Sequence, residues 1–485
     1  MSIAPDLASP SARLPRHAAI AAVIAGLMLL GAPSARSVES GSPISAAPPA
    51  NAAPTVTAPA VAPPAAPSPT AAPNGTEAAQ SAPAPAVPTV AAPQAPAAAV
   101  PAVAAPQAPA APTAPTVAAP QAPAAPAAPR TVTAEAAAGG VNNQTARYLA
   151  GLAPAPGSPI AALANEAGWR EHARFFDHAF GELERTQLTK IRAWSKAQLH
   201  SRRPTLFYMF SGPDYLYADA FFPDASTYVL AGLEPVGQIP DLMRMRGSLG
   251  PALRSMATSM HSVLNFSFFK THDMRAELSA GRLGGTTPIL LVFLARAGKT
   301  VHGIELVALD AEGGEHAESE HIKSGAHGVK IVFSGGDGRL QTLYYFSTNL
   351  ADDGFPRSGF MQFCDKLAPG DSLIKSASYL MHGHGFTKVR EFLVTHSAAL
   401  LEDDSGIPLA YFDRKKWGLK PFGRYIEPLG IFPNTYQPKL AELFRKSATP
   451  INFGIGYRWR PNESNLLLAV REDATGVAGV SATPR

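Results

Sequence analysis

Between Ser37 and Ala138 the chain is almost entirely alanine, proline, valine, threonine and small polar residues, with no aromatic side chain and hardly a charge. Such a stretch cannot bury enough apolar surface to offset the entropy of ordering its backbone. The segment 37–139 is therefore expected to be a disordered Ala/Pro-rich linker, and it holds half of the 48 prolines of the chain. It repeats itself: Val-Ala-Ala-Pro-Gln-Ala-Pro-Ala-Ala begins at Val90, Val103 and Val117. Ala/Pro sequence favours extended polyproline II, and fully extended the segment would reach on the order of 300 Å. It reads as a semi-rigid spacer, with a low-complexity segment of no selected length as the alternative. The 485 residues would by length alone suggest about three domains. With the spacer removed, the foldable part shrinks to 140–472, enough for one large core or two fused lobes. The last residues, 473–485, read as a disordered tail.

Ahead of the spacer, Arg13 and Arg16 precede an apolar run, Ala18–Ala32. A short basic flank, an apolar core and then small residues is the pattern of a secretory signal. The run is short for a membrane-spanning helix, which needs roughly 20 residues. Residues 1–36 thus read as a signal peptide or a signal anchor, with Arg13 and Arg16 on the cytoplasmic side. No cysteine follows the run, so lipid attachment there is excluded. The expected location is the periplasm, or the inner membrane with the domain facing the periplasm. The net charge of +4 is modest. Basic residues cluster only at Arg202-Arg203 and Arg414-Lys415-Lys416, which is no stripe for phosphates and argues against nucleic acid. The one cysteine, Cys364, shares a helical face with Phe360, Phe363 and Leu367 and reads as a core thiol.

Within 140–472 the patterns alternate. A helical region, Ala161–His200, precedes a buried strand at Thr205–Phe210. A turn at Ser211-Gly212-Pro213-Asp214, a short helix at Tyr215–Phe222 and a second buried strand at Thr227–Leu233 follow. A long helix is expected over Asp241–Phe269, resuming to Ala280. Strands are expected at Ile289–Ala295, Val301–Leu309, Val329–Phe333 and Leu340–Ser347, the last two joined by a Gly-rich hairpin turn. After a helix at Ser358–Leu367 come a strand at Leu373–Leu380 and a helix at Thr387–Ser397. The domain closes with strands near Ala398–Leu401, Tyr425–Leu429 and Leu466–Val470 and a short helix at Pro438–Lys446. This order predicts an α/β class: a three-layer, Rossmann-like domain with a mixed sheet. The run of helix, Leu367-Ala368-Pro369-Gly370-Asp371, strand, helix and late strands resembles the class I methyltransferase-type Rossmann domains. The resemblance covers roughly Thr205–Leu429, and Ser211-Gly212-Pro213 stands where those enzymes carry a glycine-rich turn.

Three constellations carry candidate chemistry. Ser211, Gly212 and Asp214, with Glu234 some 20 residues later, should lie at the carboxyl ends of the first two strands, where α/β sheets bind ligands. The plainer reading is that Asp214 caps the next helix and Glu234 ends a strand. An exported domain would not ordinarily meet a nucleotide or S-adenosylmethionine, so the ligand would be another small molecule or an envelope glycan. His382 and His384, near His396 and with Asp403 or Asp404, have the donor chemistry of a zinc or iron site, which would give a metal-dependent hydrolase. Plain solvated loops are the alternative there. Tyr457-Arg458-Trp459-Arg460 reads as an alternating strand with an aromatic face inward, or as a sugar- or peptide-recognition patch. The leading expectation is an envelope protein binding a small molecule or cell-wall component at Ser211–Asp214 and Glu234. The alternatives are the hydrolase and a partner-docking module held out by its spacer. Neither a cofactor nor an enzymatic activity is fixed by these residues.

Overall fold

The computed structural model describes residues 140–200, 202–266, 282–318 and 325–472. The apolar run at 18–32, the spacer, the end of the long helix expected to reach Ala280 and the tail 473–485 lie outside the described residues.

The domain is mixed α/β with one ten-stranded sheet. Its strands are β1 (Thr205–Tyr208), β2 (Thr227–Gly232), β3 (Thr300–Leu309), β4 (Glu315–Ala317), β5 (His327–Ser334), β6 (Leu340–Ser347), β7 (Gly370–Ile374), β8 (Ser397–Glu402), β9 (Trp417–Gly423) and β10 (Asn465–Arg471). They are ordered β4-β3-β5-β6-β2-β1-β7-β8-β10-β9. The central five, β6-β2-β1-β7-β8, are parallel, with Phe207 of β1 in register with Val229 of β2 and Ser372 of β7. Antiparallel pairs extend the sheet through β5, β3 and β4 on one side and through β10 and β9 on the other.

The parallel strands are buried on both faces, which explains their nearly continuous apolar sequence. Alternate residues feed two separate cores: Leu206 and Tyr208 enter one, Phe207 and Met209 the other. The first core is covered by α1 (Val141–Leu149), α2 (Ala167–Leu183), α3 (Thr189–Gln198), α4 (Tyr215–Phe221), α5 (Leu249–Ser259), α6 (His261–Phe266) and α7 (Thr287–Arg296). The second is covered by α8 (Phe360–Lys366), α9 (Thr387–His396) and α10 (Pro438–Ser447). Cys364 is fully buried on α8, and burial pushes its thiol well up, as expected of a packing residue. Phe207 packs edge-on against Phe392 of α9 at 5.3 Å. Truncating such a buried ring costs about 3–5 kcal/mol.

Several expected elements differ. Ile289–Ala295 is not a strand: it lies inside α7, which starts with Pro288 in its first turn and is buried from Thr287 to Ala295. A helix packed on α1, α4 and β3 at once has no polar stripe, so its sequence carries no period to distinguish it. Leu373–Leu380 is strand only to Ile374, because the chain then enters left-handed turns. Tyr425–Leu429 is irregular; the edge strand is β9, whose Pro421 is tolerated where one side of the ladder is open. Asp241–Phe269 is broken into turns, α5 and α6 rather than one long helix.

Candidate functional site

The loops after β1, β2, β7 and β8 gather at the carboxyl edge of the parallel strands. The loop after β1 turns sharply, with Phe210 at φ 60° and Gly212 at φ 55°. Ser211 is buried, its N–H donating to Ala231 O at 3.0 Å and so tying the loop to β2. Asp214 caps α4, Oδ1 accepting from Tyr217 N at 3.3 Å. Its Oδ2 accepts from Tyr208 OH at 2.8 Å and pairs with Lys375 Nζ at 2.8 Å. That ammonium also lies 4.1 Å from the centroid of the Tyr217 ring, a cation–π arrangement. Burial, and then the Asp214 charge, push the Tyr208 phenol well up, so it stays a donor.

Glu234, past the end of β2, is buried. A Cβ on Gly232 would lie 2.3 Å from its Oε2, and one on Gly212 would lie 3.3 Å from its Cδ. The two glycines thus make the room in which this carboxylate lies. Tyr345 OH donates to Glu234 O at 2.8 Å and approaches Oε2 at 3.3 Å.

After β7, Ser376, Ser378 and Tyr379 all have left-handed backbones, at φ 55°, 53° and 54°. Each costs roughly 1–2 kcal/mol for a residue with a Cβ. The loop after β8 holds them. Asp403 Oδ2 accepts from Ser376 N at 2.9 Å and Oδ1 from Ser405 N at 3.0 Å. Asp404 Oδ2 accepts from Tyr379 OH at 2.5 Å and Oδ1 from Asn465 Nδ2 at 2.9 Å. Tyr457 OH donates to Ser376 O at 2.9 Å and lies 2.8 Å from Ser378 Oγ. The rings of Tyr379, Phe432 and Tyr457 cluster above, with centroids 4.8 to 6.4 Å apart. Burial first, and Asp404 second, push Asp403 up to about 6, and burial also pushes Asp404 up. Glu402, completely enclosed, is pushed well up by burial and by both aspartates.

The sequence-expected residues therefore separate into layers. Ser211, Gly212, Asp214 and Glu234 lie at the carboxyl ends of β1 and β2 as buried groups among protein partners. Asp403 and Asp404 are buried hydrogen-bond acceptors for the β7 loop. His382 sits beside Tyr379 at 5.1 Å between centroids, is pushed down to about 4 by burial, and leaves Nε2 without a partner among the described residues. His384 is exposed on the following turn. His396 pairs with Asp365 at 3.0 Å at the end of α9. Among the described residues no group of three or more His, Cys, Asp or Glu side chains is placed to hold a metal ion. Tyr457–Arg460 is an irregular turn with one bridge, Ile455 to Arg458, not an alternating strand. Arg458 donates to Glu427 O at 2.7 Å.

Lys375, Ser376, Ser378 and Tyr379 escaped sequence reasoning because they sit in a run that reads as strand. The signal was Lys375 itself, a charge following a fully apolar Leu373-Ile374 pair. Comparisons of the chain with protein families, with curated proteins and with solved structures found no match.

Proposed function

We propose that this is a cell-envelope protein, exported or anchored at the inner membrane through residues 1–36. Its Rossmann-like domain, held out by the Ala/Pro spacer, binds a small molecule or cell-wall component at the carboxyl ends of β1, β2 and β7. The strand order supports the Rossmann-like reading. In β6-β2-β1-β7-β8 the chain winds outward from β1 in one direction and then in the other, so the reversal falls between β1 and β7. An antiparallel β10 between β8 and β9 adds to the resemblance to class I methyltransferase-type sheets.

One observation carries the site. Of the five non-glycine residues with left-handed backbones among the described residues, Phe210, Ser376, Ser378 and Tyr379 flank this reversal, and only Asn434 lies elsewhere. Strain of this kind collects where geometry is held for binding or chemistry. Ser378 and Tyr457 offer hydroxyls at the rim, and the Tyr379, Phe432 and Tyr457 rings offer an apolar face suited to a sugar. The test is titration of the purified chain with neutral cell-wall disaccharide fragments, followed by tyrosine and tryptophan fluorescence. Saturable binding weakened about tenfold by Tyr457→Phe or Ser378→Ala is expected. Absence of saturable binding, or binding indifferent to both changes, sinks the reading.

A further inference from the structure

We propose that Asp214 is a built-in anion that makes this strand-end crevice selective for uncharged ligands over phosphate-bearing ones. The inference rests on the crevice being the ligand site. In doubly wound nucleotide-binding domains, the loop after the first strand and the helix that follows receive a phosphate. Here three donors converge instead on a carboxylate of the chain: the Tyr208 hydroxyl at 2.8 Å, the Lys375 ammonium at 2.8 Å and the Tyr217 N–H at 3.3 Å. Both charged side chains are 2% exposed, so the pair is part of the interior rather than a surface ion pair. The positions where bare glycine backbone would admit a ligand are filled in the same way. Gly212 and Gly232 face the Glu234 carboxylate, and a Cβ on Gly232 would lie 2.3 Å from its Oε2. A phosphate entering this edge would have to displace one carboxylate from its cation and lie against a second. An uncharged, hydroxyl-bearing molecule at this edge brings no negative charge against the two carboxylates and leaves the Asp214–Lys375 pair in place.

The experiment uses the full chain. The wild-type protein is titrated with ADP, and Asp214→Ala is melted in sodium acetate and in sodium chloride of equal ionic strength. Wild type should show no saturable uptake of ADP at millimolar concentration. Asp214→Ala should melt lower, and acetate should raise its Tm by about 3 °C by replacing the lost carboxylate, while chloride does not. Wild type should not respond to acetate. The double variant Asp214→Ala with Lys375→Met, which lacks the cation, should also not respond. Saturable ADP binding to wild type overturns the proposal whether or not the variants fold, as does an Asp214→Ala protein deaf to acetate or a double variant that answers it. A chain that binds no neutral sugar fails the ligand-site reading but leaves the acetate result intact; ADP binding at this edge does the reverse.

Discussion

Tyr379, held in the left-handed region at φ 54°, donates its hydroxyl to Asp404 Oδ2 at 2.5 Å. The bond joins the loop after β7 to the loop after β8, and it is one of the restraints that retain an unfavourable backbone. Tyr379→Phe keeps the ring and its packing on Phe432 but leaves a buried carboxylate oxygen without its donor. The expected cost is about 1–3 kcal/mol in urea unfolding. Asp404, already pushed up by burial, should rise further, because that hydrogen bond holds it down. A Tyr379→Phe protein as stable as wild type would mean that the loop is held by other contacts.

The Asp214–Lys375 pair gives a second expectation. Removing one partner of a buried ion pair strands the other, whereas removing both need not cost much. Lys375→Met and Asp214→Asn should each destabilise by about 3–5 kcal/mol, and the double variant by clearly less than their sum. A double-mutant cycle in denaturant measures the coupling, and additive single effects would show that the pair contributes nothing across β1 and β7.

Both relationships mark where the sequence stopped being legible. The buried parallel strands read correctly because Leu206–Tyr208 and Val229–Ala231 are apolar on both faces, which is what burial between two layers demands. That uniformity misled at Ile289–Ala295, since a helix buried all round and a buried strand have the same composition; Pro288 in the first turn was the discriminating residue. At the site, Asp214 and Glu234 were legible as strand-end acids. Their partners were not, because Lys375 and Tyr345 reach them only through the sheet order, and apart from the Lys375 charge nothing local in Leu373–Leu380 announces that the chain turns left-handed at Ser376.

Gly232 tests the close approach at Glu234. Gly232→Ala places a Cβ 2.3 Å from Glu234 Oε2 and 3.1 Å from Gly212 Cα. Overpacking of this kind costs about 1–3 kcal/mol. Glu234→Ala should relieve most of it, so the double variant should be more stable than Gly232→Ala with the Glu234→Ala cost added. Equal effects with and without Glu234 would place the clash on the Gly212 backbone alone.

Export can be read directly in cells. A phosphatase that is active only outside the cytoplasm, fused after Ala138, should be active, and the same fusion lacking residues 18–32 should be silent. Activity that does not depend on the apolar run would remove the envelope from the proposed function.

Two buried groups should tilt stability with pH in opposite directions. Burial pushes Asp371 up from the usual 3.8 to about 6, against the partial relief of N–H donors from Arg203 and Ala399 and the nearby Arg202 and Arg203 charges. Between those values the native carboxyl keeps a proton that the unfolded one loses, so unfolding releases it and stability falls as pH rises. Burial pushes His172 down from 6.5 to about 4, against the opposing hydrogen bond between Nε2 and Leu149 O at 2.7 Å and with the nearby Arg296 charge adding to the shift. Here the unfolded ring holds the proton that the native one lacks, so stability rises with pH across that window. Asp403 and Asp404 act in the sense of Asp371, and His382 in the sense of His172. Asp371→Asn should therefore make the slope of stability between about pH 4.5 and 6 more positive, and His172→Gln less positive, each by up to roughly 1.4 kcal/mol per pH unit. Urea unfolding across that range measures both slopes. Variants with the wild-type slope would mean that neither group changes its protonation on folding.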